Sequence, residues 1–292
     1  MGVEVQDHME VVQRIEKILA EVPSVDSCDW CPVELGLLIA QLEYPKLNIK
    51  KEKQKFLELF DEARKEFPKE LAFADQVKWV GEYFSQDLGF QGDKKNYYNV
   101  RNSFLNDVYI RRKGIPVSLT LILMGLFRRL ELPAYGVAFP GHFLLMVQDT
   151  EKDGTSYFLD SFDQAKILSI EDCQDKLDAW TKGMIPFHES LLELSHPREI
   201  VSRVLRNLRA VYQEKEDLPR LYWVLTALYE LSPVERLEAL KERAFLHARM
   251  GRFGAAVQDL KLFLTKKKLS RKNLEHLEKM LRYFELQKDV TN

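Results

Sequence analysis

Apolar residues recur at helical spacing through the first 90 residues and again after residue 195. In the first region, Phe56, Phe60 and Ala63 fall on one face of a predicted helix, and Pro68 marks its end. The second region contains five further segments of this kind, at residues 198–213, 218–231, 235–250, 253–266 and 271–286. Short helices with short connections predict antiparallel helix pairs stacked as a solenoid.

The pattern changes between these two helical regions. Residues 116–130 (PVSLTLILMGLFRRL) are apolar almost all round, which predicts a helix buried at the centre of a domain. Three runs typical of strands follow, YGVAF at 135–139, HFLLMVQ at 142–148 and SYFLD at 156–160. A buried helix followed by an antiparallel meander predicts an α+β domain.

The charges of the chain also change near residue 196. Residues 196–292 carry 20 Lys and Arg against 13 Asp and Glu, whereas residues 1–195 carry 23 against 32. The proline of His196-Pro197 supports a break at this point, because the residue before a proline rarely continues a helix. We therefore predict two domains, residues 1–195 with an α+β core at about 92–175, and residues 196–292 as all-α repeats.

Composition excludes several classes of protein. Of the 292 residues, 46% are hydrophobic and 30% are charged, which fits a folded globular chain and not a disordered one. The formal net charge of −2 gives no overall attraction to DNA or to anionic lipid. The N-terminal residues lack the pattern of a secretory signal, and no apolar run reaches the roughly 17 residues that a membrane helix needs. We therefore expect a cytoplasmic protein without nucleic-acid or membrane partners.

The three cysteines indicate no disulfide framework, metal site or redox site. Cys28, Cys31 and Cys173 do not form the framework of a disulfide-rich secreted domain. Cys28 and Cys31 have Cys-x-x-Cys spacing, but a structural zinc needs four ligands and the sequence has no second pair. A redox pair of the common type precedes a βαβ pattern, which is absent here. We therefore expect ordinary thiols, with no metal and no other cofactor.

The C-terminal segment ERAFLHARMGRFGAAVQDLKLFLTKKK resembles a tetratricopeptide unit. Ala244 and Ala256 lie twelve residues apart, where that motif has small residues at the close approach of its two helices. The preceding unit ends at Pro233, where the motif has its terminal proline. A generic helical hairpin domain is the alternative. Repeats of this type imply a protein partner, because their stacking forms concave surfaces that suit extended peptides.

The middle segment resembles a bacterial family, named SirB after an invasion regulator, that joins a transglutaminase-like domain to tetratricopeptide repeats. The blocks RRKGIP (111–116), FPGHFL (139–144) and FLDSFD (158–163) carry the resemblance. It extends over nearly the whole chain, from ELGLLIAQLEYPKL to the C-terminal repeats. The resemblance implies a papain-like α+β core with an antiparallel sheet, preceded by a helical N-terminal part.

The resemblance also implies candidate catalytic residues. Related enzymes use a cysteine thiolate at a helix N-terminus, a histidine beside it and an acid that orients the histidine. The histidine corresponds to His142 and the acid to Asp160. The Gly-x-Cys of the enzymes corresponds to Gly-Ile-Pro ending at Pro116, which has no nucleophile. Ser118 is the nearby candidate hydroxyl, and its alternative role is to satisfy a backbone donor at the helix N-terminus.

A polar run before the buried helix supplies candidate binding residues. We expect them to line a cleft beside the His142 strand; they are Tyr98, Arg101, Asn102 and Asn106. Arg101 could hold a carboxylate or a phosphate with two parallel hydrogen bonds. The alternative is structural, with Arg101 and Asn102 tying the loop to backbone carbonyls.

Two classes of function remain open at this stage. The favoured interpretation is a non-catalytic or regulatory protein in which the transglutaminase-like domain lacks its nucleophile and the repeats bind a protein partner. The alternative is a hydrolase or acyltransferase that uses Ser118, His142 and Asp160 on a protein substrate. A small-molecule ligand is not indicated either way.

Overall fold

The computed structural model describes residues 2–150, 154–268 and 270–291. The helices are α1 (Gly2–Glu21), α2 (Pro32–Gln41), α3 (Ile49–Glu66), α4 (Phe73–Glu82), α5 (Leu105–Arg111), α6 (Pro116–Arg129), α7 (Ile170–Thr181), α8 (Pro197–Glu214), α9 (Leu218–Leu231), α10 (Arg236–Arg249), α11 (Phe253–Lys266) and α12 (Arg271–Thr291). The strands are β1 (Gln91–Gly92), β2 (Lys113–Gly114), β3 (Ala134–Val137), β4 (Leu144–Gln148), β5 (Ser156–Asp160) and β6 (Lys166–Leu168). Within the described ranges, no helix combines the length and the apolar character needed to cross a bilayer.

The chain divides into two compact units, Met1–Val204 and Leu205–Asn292. We call them the first unit and the second unit and describe each by itself. The division falls within α8. The boundary inferred from charge, between residues 195 and 196, stays a prediction.

The helical N-terminal region predicted from apolar spacing is confirmed. Helix α3 begins at Asn48, whose side chain accepts a hydrogen bond from the amide of Lys51, and it buries the predicted Phe56, Phe60 and Ala63. Helix α2 packs against α3 and α6. Helix α2 also packs against α5, and Gly36 permits that approach, since a Cβ there would lie 2.3 Å from a side-chain atom of Leu105.

Helix α6 is the central element of the first unit, as its all-round apolar sequence predicts. Its residues from Pro116 to Met124 are all buried. Pro116 occupies the first turn, where its missing N–H leaves no intrahelical hydrogen bond unmade. Helices α2 and α3 and strands β3 and β4 all pack on α6.

The α+β core with its antiparallel sheet is confirmed. Strands β3, β4, β5 and β6 form one sheet in that order, each antiparallel to the next. Leu145 pairs with Leu159 across β4 and β5, so the end of β5 lies near the start of β4. The sequence did not predict β6, nor the parallel pairing of the two-residue strands β1 and β2.

The second unit is helical, as predicted. Ala244 on α10 and Ala256 on α11 are fully buried in one core cluster, at the close approach that the repeat motif requires. Gly251 lies between these two helices with φ +70°, a conformation that glycine adopts without steric cost. The same cluster includes Phe284 from α12.

Candidate functional site

The structure brings His142 and Asp160 together. His142 precedes β4 and Asp160 ends β5, and the antiparallel pairing of these strands places both residues at the same end of the sheet. Nε2 of His142 lies 2.6 Å from Oδ1 of Asp160. The His142 side chain is 6% exposed and the Asp160 side chain 1%. The two residues therefore form a buried dyad.

The carboxylate of Asp160 has several further donors. Lys176 on α7 donates to Oδ2 at 2.9 Å, and the amides of Phe162 and Asp163 donate to Oδ1 at 3.0 and 3.2 Å. Burial alone would raise the pKa of Asp160, but the hydrogen bonds and charges of His142 and Lys176 lower it to about 2. Asp160 is therefore ionised at neutral pH and fixes the orientation of the imidazole.

The rest of the His142 imidazole contacts aromatic rings, and its second nitrogen, Nδ1, makes no hydrogen bond within the described residues. Trp180 stacks on the His142 ring with centroids 4.4 Å apart, and Phe162 meets it edge-on at 6.0 Å. Nδ1 makes no hydrogen bond in the part of the chain that the structure describes, and it is not fully buried. Nδ1 of His142 therefore has an unused hydrogen-bonding capacity.

The main chain before β4 is also held in place. Arg203 donates from Nη2 to the carbonyl of Phe139 at 2.8 Å and to the carbonyl of His142 at 2.5 Å. These contacts fix the turn that carries His142. They place the guanidinium of Arg203 against the backbone of His142.

The dyad lies beside the first turns of α6. The hydroxyl of Ser161 donates to the carbonyl of Pro116 at 3.2 Å and lies 2.8 Å from the hydroxyl of Thr120. Ser161 follows Asp160 directly in the chain. Through Ser161, the loop that carries Asp160 therefore contacts the first turns of α6; the catalytic role that the family resemblance implies for His142 and Asp160 stays a prediction.

Ser118 is placed differently from a serine nucleophile. Its side chain is fully buried. The hydroxyl donates to the carbonyl of Asn102 at 2.6 Å and accepts from the amide of Ile115 at 3.1 Å. In the described structure no hydrogen bond joins Ser118 to His142. The hydroxyl closes the N-terminus of α6 and ties it to the preceding loop.

The four candidate binding residues are not brought to the dyad. Arg101 pairs with Asp107 at 2.7 Å, and Asn102 is buried, donating to the carbonyls of Asn96 and Tyr97. Tyr98 is 62% exposed, and Oδ1 of Asn106 is buried without a hydrogen-bond partner. No contact found in the described residues joins any of the four to His142 or Asp160. Their proposed role in binding stays a prediction.

Sequence reasoning did not identify Lys176, Trp180 or Arg203 as parts of the site. Lys176 and Trp180 lie four residues apart on α7, so they share one face of that helix. Arg203 lies on α8. The spacing on α7 was available in the sequence, but nothing local indicated that this face meets the dyad.

A cleft of about 380 Å³ is lined in part by the loop that follows Asp160. Its lining comes from α4, the turn after it and the loop between β5 and β6; it includes Lys78, Glu82, Ser85 and Gln164. Neither His142 nor Asp160 lines it. The cleft is therefore not a binding site for a ligand that contacts the dyad directly.

The cysteines lie apart from the helix N-terminus where related enzymes carry their nucleophile. Cys173 is fully buried in an apolar cluster with Val137 and Leu144, and burial raises the pKa of its thiol to about 11. Cys28 is exposed and Cys31 is half-buried. Across residues 2–150, 154–268 and 270–291, no group of three His, Cys, Asp or Glu side chains is placed to hold a metal ion.

Comparison with protein families agrees with this architecture. The transglutaminase-like superfamily matches residues 50–206, and a tetratricopeptide repeat family matches residues 208–284. No solved structure matches significantly.

Several named proteins are similar in sequence. A UPF0162 protein of Xylella fastidiosa (strain Temecula1) is 32% identical over 232 residues, covering 78% of this chain and 81% of that protein. A UPF0162 protein of Vibrio cholerae is 26% identical over 265 residues, covering 88% and 86%. The F-box only protein 21 of Homo sapiens is 27% identical over 191 residues, which is 62% of this chain and 29% of that protein.

Proposed function

Because the chain belongs to the transglutaminase-like superfamily and carries tetratricopeptide repeats after that domain, we propose that it is a non-catalytic, regulatory protein that binds a protein partner. Tetratricopeptide repeats generally mediate contacts between proteins. We assign the partner to the repeats, the location to the cytoplasm and the chain to the SirB-named group within the superfamily.

The main observation that supports a non-catalytic role is the environment of the Ser118 hydroxyl. A serine nucleophile needs an accessible hydroxyl that donates its hydrogen to a base. Ser118 donates to the carbonyl of Asn102 instead, and its side chain has no exposed surface. Pro116, which the family resemblance aligns with the enzymes' cysteine, has no nucleophilic atom. The dyad therefore has a base without a group to activate.

The dyad still suits recognition. Because Nε2 of His142 is held by Asp160, the other ring nitrogen, Nδ1, is presented beside the face of Trp180, and in the tautomer with the proton on Nε2 it is a hydrogen-bond acceptor. An acceptor next to an aromatic surface binds a ligand that offers an N–H or O–H group and a flat or apolar part. We propose that the dyad is a recognition site.

The same dyad favours one alternative, a Ser–His–Asp hydrolase or acyltransferase in which α6 rearranges to present Ser118. Labelling with a broad fluorophosphonate, read by peptide mass spectrometry, separates the two. We expect no label on Ser118 in the wild-type chain. Label on Ser118 that disappears in His142→Ala would establish the enzyme and overturn the non-catalytic proposal. Ser118→Ala identifies label at other sites.

Partner binding is tested separately. Lys266, Lys267 and Lys268 form an exposed basic segment at the C-terminal end of α11, suited to an acidic stretch of a partner. A bacterial lysate is passed over the immobilised chain, and retained proteins are chemically cross-linked and mapped. We expect cross-links within residues 205–292 that are lost when the three lysines become glutamate. Reversal of the exposed Lys50 and Lys51 is the matched control. Cross-links unaffected by the first variant, or lost equally with the control, would contradict the proposal.

A further inference from the structure

A continuous series of ring contacts runs through the dyad in the first unit. Trp180 stacks on the His142 ring at 4.4 Å between centroids, and Phe162 meets His142 edge-on at 6.0 Å. Tyr97 meets Phe162 edge-on at 5.8 Å, and Tyr98 meets Tyr97 at 5.3 Å. We call these five residues the aromatic row. Its end residues, Trp180 and Tyr98, are exposed, and Phe162 and Tyr97 are half-buried, so the row reaches the protein surface.

The row is held in place by its surroundings. Besides its stack on His142, Trp180 contacts the ring of Phe139 edge-on at 6.1 Å. Gly141 has φ +74°, and a Cβ at this position would lie 3.3 Å from the Cβ of Trp180, so the turn before β4 approaches Trp180 closely. Asp160 fixes the imidazole of His142. Binding to groups that are already ordered costs little conformational entropy.

The row offers more hydrogen-bond donors than acceptors. The hydroxyls of Tyr97 and Tyr98 and the indole N–H of Trp180 make no hydrogen bond in the part of the chain that the structure describes. An indole nitrogen only donates, and a phenolic hydroxyl donates readily. Nδ1 of His142 is an acceptor when the proton is on Nε2. These groups suit a ligand that has several carbonyl oxygens and few N–H groups.

The charged side chains beside the row already have partners. Lys176 donates to Asp160 at 2.9 Å, and Arg203 donates to two backbone carbonyls of the turn before β4. Asp163, which follows the row's phenylalanine in the chain, accepts from Lys94 at 2.8 Å. A charged ligand would have to compete with these pairs, whereas a neutral ligand would not. The charge pattern therefore favours a neutral ligand.

We propose that the aromatic row binds a proline-rich segment of the partner in the polyproline II conformation, an inference that rests on the proposed function of the dyad as a recognition site. Such a segment has no internal hydrogen bonds, so its carbonyls are free, and each proline lacks an N–H. Proline is uncharged, and its apolar ring packs on aromatic side chains. A residue between the prolines supplies the N–H for Nδ1 of His142.

The test measures the binding of fluorescein-labelled peptides to the full chain by fluorescence anisotropy. The probe has three Pro-Pro-Ala repeats, in which alanine supplies one N–H in each turn of the polyproline II helix. Three Gly-Gly-Ala repeats lack the proline rings, and nonaproline lacks the backbone N–H groups. We expect saturable binding of the probe and binding at least about tenfold weaker for the glycine peptide. Nonaproline should bind about threefold to tenfold more weakly, because one hydrogen bond is lost.

Variants at the two ends of the row locate the binding. We expect Trp180→Ala to weaken binding of the probe at least about tenfold and Tyr98→Ala at least about threefold. Tyr98 is 62% exposed, so its replacement leaves the core intact even if Trp180→Ala disturbs the fold. Tyr283→Ala is the matched control, because Tyr283 is 49% exposed on α12 and lies outside the row. The control should change the affinity by less than about twofold, and circular dichroism verifies the fold of each variant.

Three results would overturn the proposal: no saturable binding of the probe up to about 1 mM chain, equal affinity for the probe and either matched peptide, or an affinity that Trp180→Ala and Tyr98→Ala leave unchanged. Mass spectrometry of the peptide after incubation separates these failures from a failure of the proposed function. Intact peptide without binding overturns this inference alone. Cleaved peptide would demonstrate catalysis and overturn the non-catalytic function together with this inference.

Discussion

Each unit of the chain holds a histidine beside a buried aspartate, and the two pairs differ in what else holds the carboxylate. In the first unit, Nε2 of His142 lies 2.6 Å from Asp160. In the second unit, Nε2 of His247 lies 3.8 Å from Asp259, too far for a hydrogen bond. Arg243 takes that carboxylate instead, with Nε and Nη2 at 2.7 and 3.0 Å from its two oxygens.

The consequence is two histidines with opposite properties. His142 is fixed by a charged hydrogen bond and has an unused hydrogen-bonding capacity at Nδ1. His247 is packed against Tyr222, and its Nδ1 is buried without a partner. A planar guanidinium satisfies both carboxylate oxygens at once, and the imidazole then has no role in binding the acid. In the described chain, the histidine therefore bonds the aspartate only in the pair where no arginine binds the same carboxylate.

The largest expected effect is the loss of the carboxylate that holds His142 and Lys176. Asp160→Ala leaves His142 and Lys176 without their buried partner, which we expect to lower the free energy of unfolding by about 3–5 kcal/mol. Asp163→Ala, in the same loop but half-exposed, should cost below about 1 kcal/mol. Urea unfolding followed by tryptophan fluorescence measures both. Equal costs would show that the dyad contributes no more than a surface pair.

A matched pair of histidine substitutions makes the comparison directly. His142→Leu removes a hydrogen bond to a charged group and leaves part of Asp160 unsatisfied, so we expect a loss of about 2 kcal/mol. His247→Leu removes a buried imidazole that has no hydrogen-bond partner in the described chain, so stability should stay within about 0.5 kcal/mol or rise. Urea unfolding by circular dichroism gives both values. A loss at His247 as large as at His142 would mean that distance to the aspartate does not distinguish the pairs.

Acid titration tests the same pair through its charge. The pKa of Asp160 is lowered from 3.8 to about 2, so the folded chain binds the proton less readily than the unfolded chain. The resulting stability is present above pH 4 and is lost as the pH falls from about 4 to about 2, by about 2 kcal/mol. The stability difference between wild type and Asp160→Asn should shrink across this range. A difference that is constant with pH would contradict the lowered pKa.

The main elements of the fold could be predicted from local patterns. Helix α6 and strands β4 and β5 are long enough for their apolar sequences to be recognised. Strand β6 has three residues, and β1 and β2 have two each, too few to show any period. Their pairing depends on the tertiary packing that brings them together.

The site could be predicted only in part, for the same reason. His142 and Asp160 lie 18 residues apart at the ends of one hairpin, so a family motif could locate both. Lys176 and Trp180 reach the dyad through the packing of α7, which no local sequence signal reports. The competition of Arg243 for Asp259 is likewise a tertiary contact, between α10 and α11. The sequence indicated the histidine and the acid of the site, and packing determined which side chains pair with them.

The smallest effect is the pH dependence of His247, and its sign separates a buried unpaired histidine from a paired one. Burial lowers the pKa of His247 below 6.5, and the charges of Arg243 and Arg252 act in the same direction against that of Asp259. The unfolded chain therefore takes up a proton before the folded chain does, and the second unit loses stability as the pH falls below 6.5. Hydrogen exchange of the slowest amides in α10, compared between wild type and His247→Leu at each pH, isolates this term from the other histidines. We expect the variant to become relatively more protected as the pH falls from 7 to 5. If the wild type gained protection relative to the variant instead, His247 would be stabilised as a cation by Asp259, and the two histidine–aspartate pairs would be alike.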